Sequence, residues 1–207
     1  MSILITKKKD ADSLPFPPPV YVSGEIAEAE KDGTRFTVVL GLDKALVREL
    51  KDRSLDESDE AIQALTSDRK RFGEGSYEEW YAKDRVPFAL VSEKDKKLAA
   101  LIWFGPKKLG EKSLKHAPPE TDAHSEESGG VDWHTLAYCS YPPFRGTGIM
   151  KDFVNFTIGV YLSHHIGARL WAIIDRHNPA SMRLAEKLNF TALDERSDES
   201  HVVMVRS

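Results

Sequence analysis

The 207-residue sequence is poor in cysteine, in long apolar runs and in surplus positive charge. One cysteine, Cys139, excludes an internal disulfide framework and a cysteine-rich metal site, and it agrees with a reducing compartment. No stretch approaches the ~18 consecutive apolar residues of a membrane helix, so neither a membrane span nor a membrane partner is expected. A formal net charge of -4 argues against nucleic acid as a partner, because such binding rests on clustered Lys and Arg. The segment Met1 to Lys9 puts its short apolar part ahead of Lys7-Lys8-Lys9, the reverse of a secretory signal. An intracellular chain, cytoplasmic or nuclear, is the expectation. No internal repeat is visible.

What is present is ordinary soluble composition, 41% hydrophobic and 30% charged, on a length that suits one domain with a full core. Residues 1–33 read as an N-terminal arm, since Leu14-Pro15-Phe16-Pro17-Pro18-Pro19 cannot join a central ladder. The expected domain occupies 34–207. Thr34 to Leu40 alternates and is β-rich; Asp43 then caps a helix to about Asp52, and a polar helix starts at Ser58 or Asp59 and reaches about Arg71. A weak helical pattern covers Tyr77 to Lys83. Two apolar runs, Pro87 to Ser92 and Lys97 to Phe104, flank a charged turn and form an antiparallel hairpin. Residues 107–130, rich in Glu, Asp, Ser and His, read as an inserted flexible loop.

Val131 to Ser140 is a strand that runs into Tyr141-Pro142-Pro143-Phe144-Arg145-Gly146-Thr147-Gly148-Ile149-Met150. Beyond it Ile149, Phe153, Phe156 and Val160, with Met150, Val154 and Tyr161 beside them, recur at helical spacing. Gly167 ends that helix, and Arg169 to Asp175 is a buried strand. Strand, helix and strand make a right-handed βαβ unit with the glycine turn at a strand's carboxyl end. Such a turn is either a plain strand-to-helix connection or an anion clasp, where the unpaired amides and dipole of a helix start favour a phosphate. Next, Asn178 caps a short helix with Pro179 at its first position; Asn189 suits the left-handed residue after its end. Phe190 to Leu193 and His201 to Val205 close the chain as strands.

Two of these stretches resemble the GNAT superfamily of acyl-CoA-dependent N-acetyltransferases, and the order of elements fits from about Thr34 to Arg206. Arg145-Gly146-Thr147-Gly148-Ile149-Met150 is similar to its Arg/Gln-x-x-Gly-x-Gly/Ala signature. Asn178-Pro179-Ala180-Ser181 through Lys187-Leu188-Asn189-Phe190 is similar to its Asn-x-x-Ser/Ala to Lys-Leu-Gly-Phe element. Met150 stands where Gly or Ala is usual, Asn189 replaces a glycine, and Ala185 stands where many relatives carry a tyrosine that protonates the departing thiolate. The resemblance implies an α/β fold, α+β in its mixed sheet: mostly antiparallel and twisted, with one splayed parallel strand pair and flanking helices. It also implies acetyl-CoA as co-substrate, no metal, and direct sequential transfer of an acetyl group to a primary amine of a small molecule, peptide or protein, by a monomer or homodimer. A catalytically degenerate member that binds acyl-CoA or a protein partner is the alternative.

On that resemblance the amides of Gly146, Thr147, Gly148, Ile149 and Met150, with Arg145, hold the pyrophosphate. Tyr138, Cys139 and Ser140 pair through their backbone with the pantetheine arm, and Asn178 and Ser181 face the cofactor. A neutral amine needs a general base, and Asp132 and His134 share one face of the strand before the clasp. His134 has the more suitable ordinary pKa, near 6.5, but reads first as a half-buried strand histidine bonded to a backbone carbonyl. Tyr138 and Cys139 are substitutes for the missing acid. Asp175 and His177 end the next strand in a capping role. His116 and His124 lack the ordered frame of a metal site. Glu120, Asp122, Glu126 and Glu127 read as a solvated acidic loop, or as a means of steering a cationic amine.

Overall fold

Residues 2–111 and 130–206 are described by the structure, a computed structural model. The strands are β1 (Leu4–Lys7), β2 (Gly24–Lys31), β3 (Thr34–Leu40), β4 (Val86–Ser92), β5 (Leu98–Pro106), β6 (Trp133–Ser140), β7 (Arg169–Asp175), β8 (Thr191–Ala192) and β9 (His201–Arg206). The α-helices are α1 (Lys44–Leu55), α2 (Glu60–Leu65), α3 (Tyr77–Tyr81), α4 (Met150–His164) and α5 (Pro179–Lys187). Among the described residues the strands form one sheet in the order β1-β2-β3-β4-β5-β6-β7-β9-β8, antiparallel throughout except for β6 with β7. This is the mixed α/β architecture expected from the resemblance. Among the same residues no helix is long and apolar enough to cross a membrane.

The sheet has a core on each face, and the central strands feed both. Val86, Phe88 and Leu90 of β4 join Phe153, Val154, Ile158 and Tyr161 of α4, whereas Ala89 and Val91 join Leu46 and Leu50 of α1 and Trp80 of α3. That is the two-residue period of a strand buried on both sides, which is why β4 and β5 read as continuous apolar runs. A bulge where Leu90 and Val91 face Ala100 and Leu98 puts Ala99 and Ala100 on the same face. The amide of Tyr141, just past β6, donates to Ala99 O at 2.9 Å. The glycine turn thus starts from a fixed point of the sheet.

The helix ends follow side-chain chemistry. Asp43 Oδ1 accepts the amides of Ala45 and Leu46, both at 2.9 Å, and Asn178 Oδ1 accepts that of Ser181 at 3.0 Å. Asn189 takes φ 64° after α5. The buried stripe of α4 is Phe153, Val154, Thr157, Ile158 and Tyr161; Phe156 and Val160 are only partly buried.

Two regions differ from the sequence reading. The polar helix expected to reach Arg71 stops at Leu65, and a wide π-type turn follows at Arg69–Gly73. Thr66 Oγ1 donates to Ile62 O and accepts the Asp68 amide, so its side chain competes with the helix for backbone partners. The 1–33 arm is also corrected, because β1 and β2 extend the sheet beyond β3. Residues 8–23, which include the proline segment, run outside it. Phe16 stacks on His164 with ring centroids 4.0 Å apart, and Pro18 O accepts the hydroxyl of Tyr81 on the other face. The segment passes over Gly41, where a Cβ would meet Val22 O at 2.2 Å.

Candidate active site

Parallel pairing of β6 with β7 covers only Trp133 with Arg169, His134 with Leu170 and Thr135 with Trp171. Beyond Thr135 the strands part, and Leu136 to Ser140 stay paired on their other side to β5. One edge of β6 is therefore free over about 17 Å, at ~3.4 Å per residue. A cavity of about 1020 Å³ runs through this opening, walled by β6, β7 and α5 on one side and by α2, the Arg69–Gly73 turn and Trp80 on the other. Cationic side chains outnumber carboxylates in its lining.

At the open end of the strand pair lies the glycine turn. Gly146 (φ 78°) and Gly148 (φ 82°) take the left-handed conformation, and Phe144 and Arg145 donate their amides to Tyr141 O at 2.8 and 3.1 Å. α4 then starts at Met150 without a side-chain cap. Gly146, Gly148, Ile149, Met150 and Lys151 at this start line the cavity, and the first amides of a helix have no partner within it, the ingredients of an anion-binding helix start. Met150 is partly buried against the core and also lines the cavity.

Arg145 lines the cavity and is tied to its neighbours. Its guanidinium holds Asp59, the N-cap of α2, through two hydrogen bonds of 2.7 Å each, and Nε donates to Ser140 O at 3.0 Å. This ties α2 to the turn, and the guanidinium holds the Asp59 carboxyl below its usual range. Arg53 of α1 steadies the same turn by lying 4.8 Å from the Tyr141 ring centroid and donating to Pro142 O.

Tyr138, Cys139 and Ser140 pair with β5 and not with β7. The Tyr138 hydroxyl bridges to α5, donating to Ser181 O at 3.1 Å and accepting from Ser181 Oγ at 3.0 Å. Burial pushes its pKa up to about 12. Cys139 faces the opposite way, its Sγ donating to Asp68 Oδ2 at 3.8 Å; burial first and then the Asp68 charge push the thiol up, so it is no ready nucleophile. Ala185, where the related enzymes' tyrosine would stand, is buried in the core.

His134 and Asp132 do not reach this cavity. His134, 4% exposed, projects from β6 toward α4. Its Nε2 donates to Asp132 Oδ1 at 3.0 Å, which leaves Nδ1 to accept the Tyr161 hydroxyl. Both ring nitrogens are used, and neither residue lines the opening. Asp175 caps its own turn, accepting the His177 amide at 2.8 Å. His116, His124, Glu120, Asp122, Glu126 and Glu127 lie outside the described residues; among the described ones no cluster of His, Cys, Asp or Glu is arranged for a metal.

Glu79, Glu111 and Asp175 also line the cavity, but the buried carboxylate there is Asp68, for which the sequence carried no signal beyond a polar helix. It is 5% exposed, lines the cavity, and accepts from Arg71 at 2.6 Å. Burial pushes its carboxyl up, against the opposing pull of Arg71.

A family model described as an acetyltransferase (GNAT) domain matches residues 50–191. No curated protein matches the sequence. Solved structures do. The ribosomal-protein-S5-alanine acetyltransferase from Vibrio fischeri aligns with a TM-score of 0.54 at 12% identity, over 86% of this chain and 95% of its own. The GNAT domain of S. lividans PAT gives 0.58 at 13%, over 89% and 96%. NAA60 from Arabidopsis thaliana, solved in complex with acetyl-CoA, gives 0.50 at 16%, over 82% and 98%. At such identities the likeness is one of fold.

Proposed function

The chain belongs to the GNAT acetyltransferase family, and from that premise we propose that it transfers an acetyl group from acetyl-CoA to a primary amine in one direct step. The observation that carries this reading is the parting of β6 from β7 beyond Thr135, with the uncapped start of α4 at its mouth. A pyrophosphate needs several convergent N–H donors, and the amides from Gly146 to Met150 are of that kind. The amides of a pantetheine arm need an open strand edge, and the backbone of Tyr138 to Ser140 offers one. Asn178 and Ser181 close the opening from α5. Arg145 acts as a strut that fixes the turn against α2 rather than as a phosphate ligand.

In the reaction the amine nitrogen bonds to the thioester carbonyl carbon, the carbon–sulfur bond breaks, and CoA leaves as a thiolate. An amide of the free β6 edge polarises the carbonyl. Asp68 accepts the amine proton: it is a largely desolvated carboxylate beside Cys139, in the stretch of β6 that flanks the thioester. The Tyr138 hydroxyl, held protonated by burial, gives its proton to the sulfur and regains one from solvent, to which Asp68 releases the amine proton. No metal takes part in this scheme.

Thiol release from acetyl-CoA, followed with a panel of amines, tests the reading. Turnover that saturates in both substrates supports it. Saturable CoA binding without thiol release for any amine points instead to a binding module, and the lack of both overturns the reading.

A further inference from the structure

At the closed end of the strand pair, opposite the glycine turn, three cations gather over two indoles. The Arg71 and Arg85 guanidiniums lie 5.0 and 5.3 Å from the Trp103 ring centroid, and Lys107 Nζ lies 5.8 Å from that of Trp171. Trp171 pairs with Thr135, the last residue of β6 before the strands part, and its Nε1 donates to Lys107 O at 3.0 Å. All five side chains line the cavity.

The cluster is built. Gly105 leaves a slot that Arg85 fills, since a Cβ there would meet Arg85 Nη1 at 2.5 Å and Cδ at 2.8 Å, with Asp84 O also at 2.8 Å. From that slot Arg85 donates to Pro106 O at 3.1 Å, which sets it beside Lys107. Arg71 is neutralised by Asp68, but among the described residues neither Arg85 nor Lys107 forms an ion pair. Glu111 also borders the cavity, outside ion-pair distance of both. Partly buried like charges without partners cost free energy, and an anion delivered by a ligand offsets that cost. Burial and the neighbouring cations pull Lys107 down to about 8.

We propose that Arg85 and Lys107, with Arg71 behind them, bind an anionic group of the acceptor, so that the acceptor is an amine carrying a carboxylate or phosphate close to the reacting nitrogen. This rests on the transferase reading above and narrows its substrate class. It also opposes a polyamine acceptor, because the approach to the opening from this side is cationic. Trp103, 8% exposed, is the indole that a flat or apolar portion between the anion and the amine would meet, Trp171 being fully buried beneath Lys107.

The test uses C-terminally amidated peptides identical except that the residue after the reactive N-terminus is Glu, phosphoserine, Gln or Lys, with spermidine as a fifth amine. Thiol release is measured for each. Binding of the same peptides to the CoA-free protein is followed by tryptophan fluorescence, which reports on the site even without turnover. The expectation is a kcat/KM at least about 10-fold higher for the Glu or the phosphoserine peptide than for Gln, with Lys and spermidine below Gln. Which of the two acids is better identifies the anion. Arg85→Met should remove most of that ratio through KM. Gly105→Ala, which keeps every charge but fills the slot, should reduce it in the same direction. Equal use of Glu and Gln peptides, preference for Lys or spermidine, or a ratio untouched by both variants overturns the proposal. Fluorescence showing no acid preference overturns it as well. Loss of CoA binding alone strikes the transferase reading, while the fluorescence arm still decides the anion site.

Discussion

The pairing of Arg145 with Asp59 distinguishes a strut from a phosphate ligand, and its strength can be worked from the geometry. Two parallel 2.7 Å hydrogen bonds join a carboxylate side chain 9% exposed to a guanidinium 35% exposed. Exposed pairs contribute about 0.2–1 kcal/mol, and hydrogen bonds to charged groups about 1.5–3. With one partner buried and the other wet, the coupling should be about 1–2 kcal/mol. A urea double-mutant cycle with Asp59→Ala, Arg145→Ala and the double variant measures it. Asp59→Ala should cost about 1 kcal/mol beyond the coupling, because the cap on the Ile62 amide is lost too. The Asp59 carboxyl is depressed when folded, so the pair stabilises at pH values above the ordinary carboxylate pKa and this is lost as pH falls through the folded value. Coupling at pH 7 should therefore vanish in strong acid. A value under about 0.3 kcal/mol at pH 7, or one that persists in acid, refutes the strut. CoA affinity gives a second check: a strut predicts weaker binding in both single variants, whereas a phosphate ligand predicts that Asp59→Ala leaves it intact.

Asp68→Asn should lower kcat about 10²-fold or more and remove the acid limb of the pH–rate profile, a limb displaced upward from the usual carboxylate range by burial. His134→Ala should lower stability and leave that limb in place; a limb that follows His134 instead would return the base to that residue. Gly148→Ala puts a Cβ on a φ of 82° and should cost about 1–2 kcal/mol in the turn, seen as weaker CoA binding by calorimetry. Asn178→Ala, which removes the acceptor for the Ser181 amide, should cost about 1 kcal/mol of stability by urea unfolding.

Much of the frame was legible because local and global preferences agree there. β3 falls on the expected Thr34 to Leu40, and the hairpin of β4 and β5 follows from two apolar runs about a charged turn. α5 announced itself through Asn178, Pro179 and Asn189. β2 escaped notice because its inward residues are Ile26, Ala27, Ala29 and Lys31, with a bulge breaking the alternation and alanine and lysine lending little strand character. Of the candidate site, the backbone elements were legible in the sequence and the side-chain partners were not. The glycine turn and the free edge are local features, whereas Arg145 finds its partner 86 residues away and His134 meets Tyr161 across 27. Two residues on one strand face suggested a base, yet His134 is buried beneath α4 and Asp132 stands exposed before β6. Asp68 gains its character from a turn that folds it against β6, 71 residues on in sequence.

A structure of the protein with bound CoA tests the central claim most directly. The pyrophosphate should rest on the amides between Gly146 and Met150, and the pantetheine arm should run along Tyr138 to Ser140 between β6 and β7, with its sulfur on the Asp68 side of the opening. CoA bound elsewhere, or a strand opening that remains empty at saturating CoA, would contradict it.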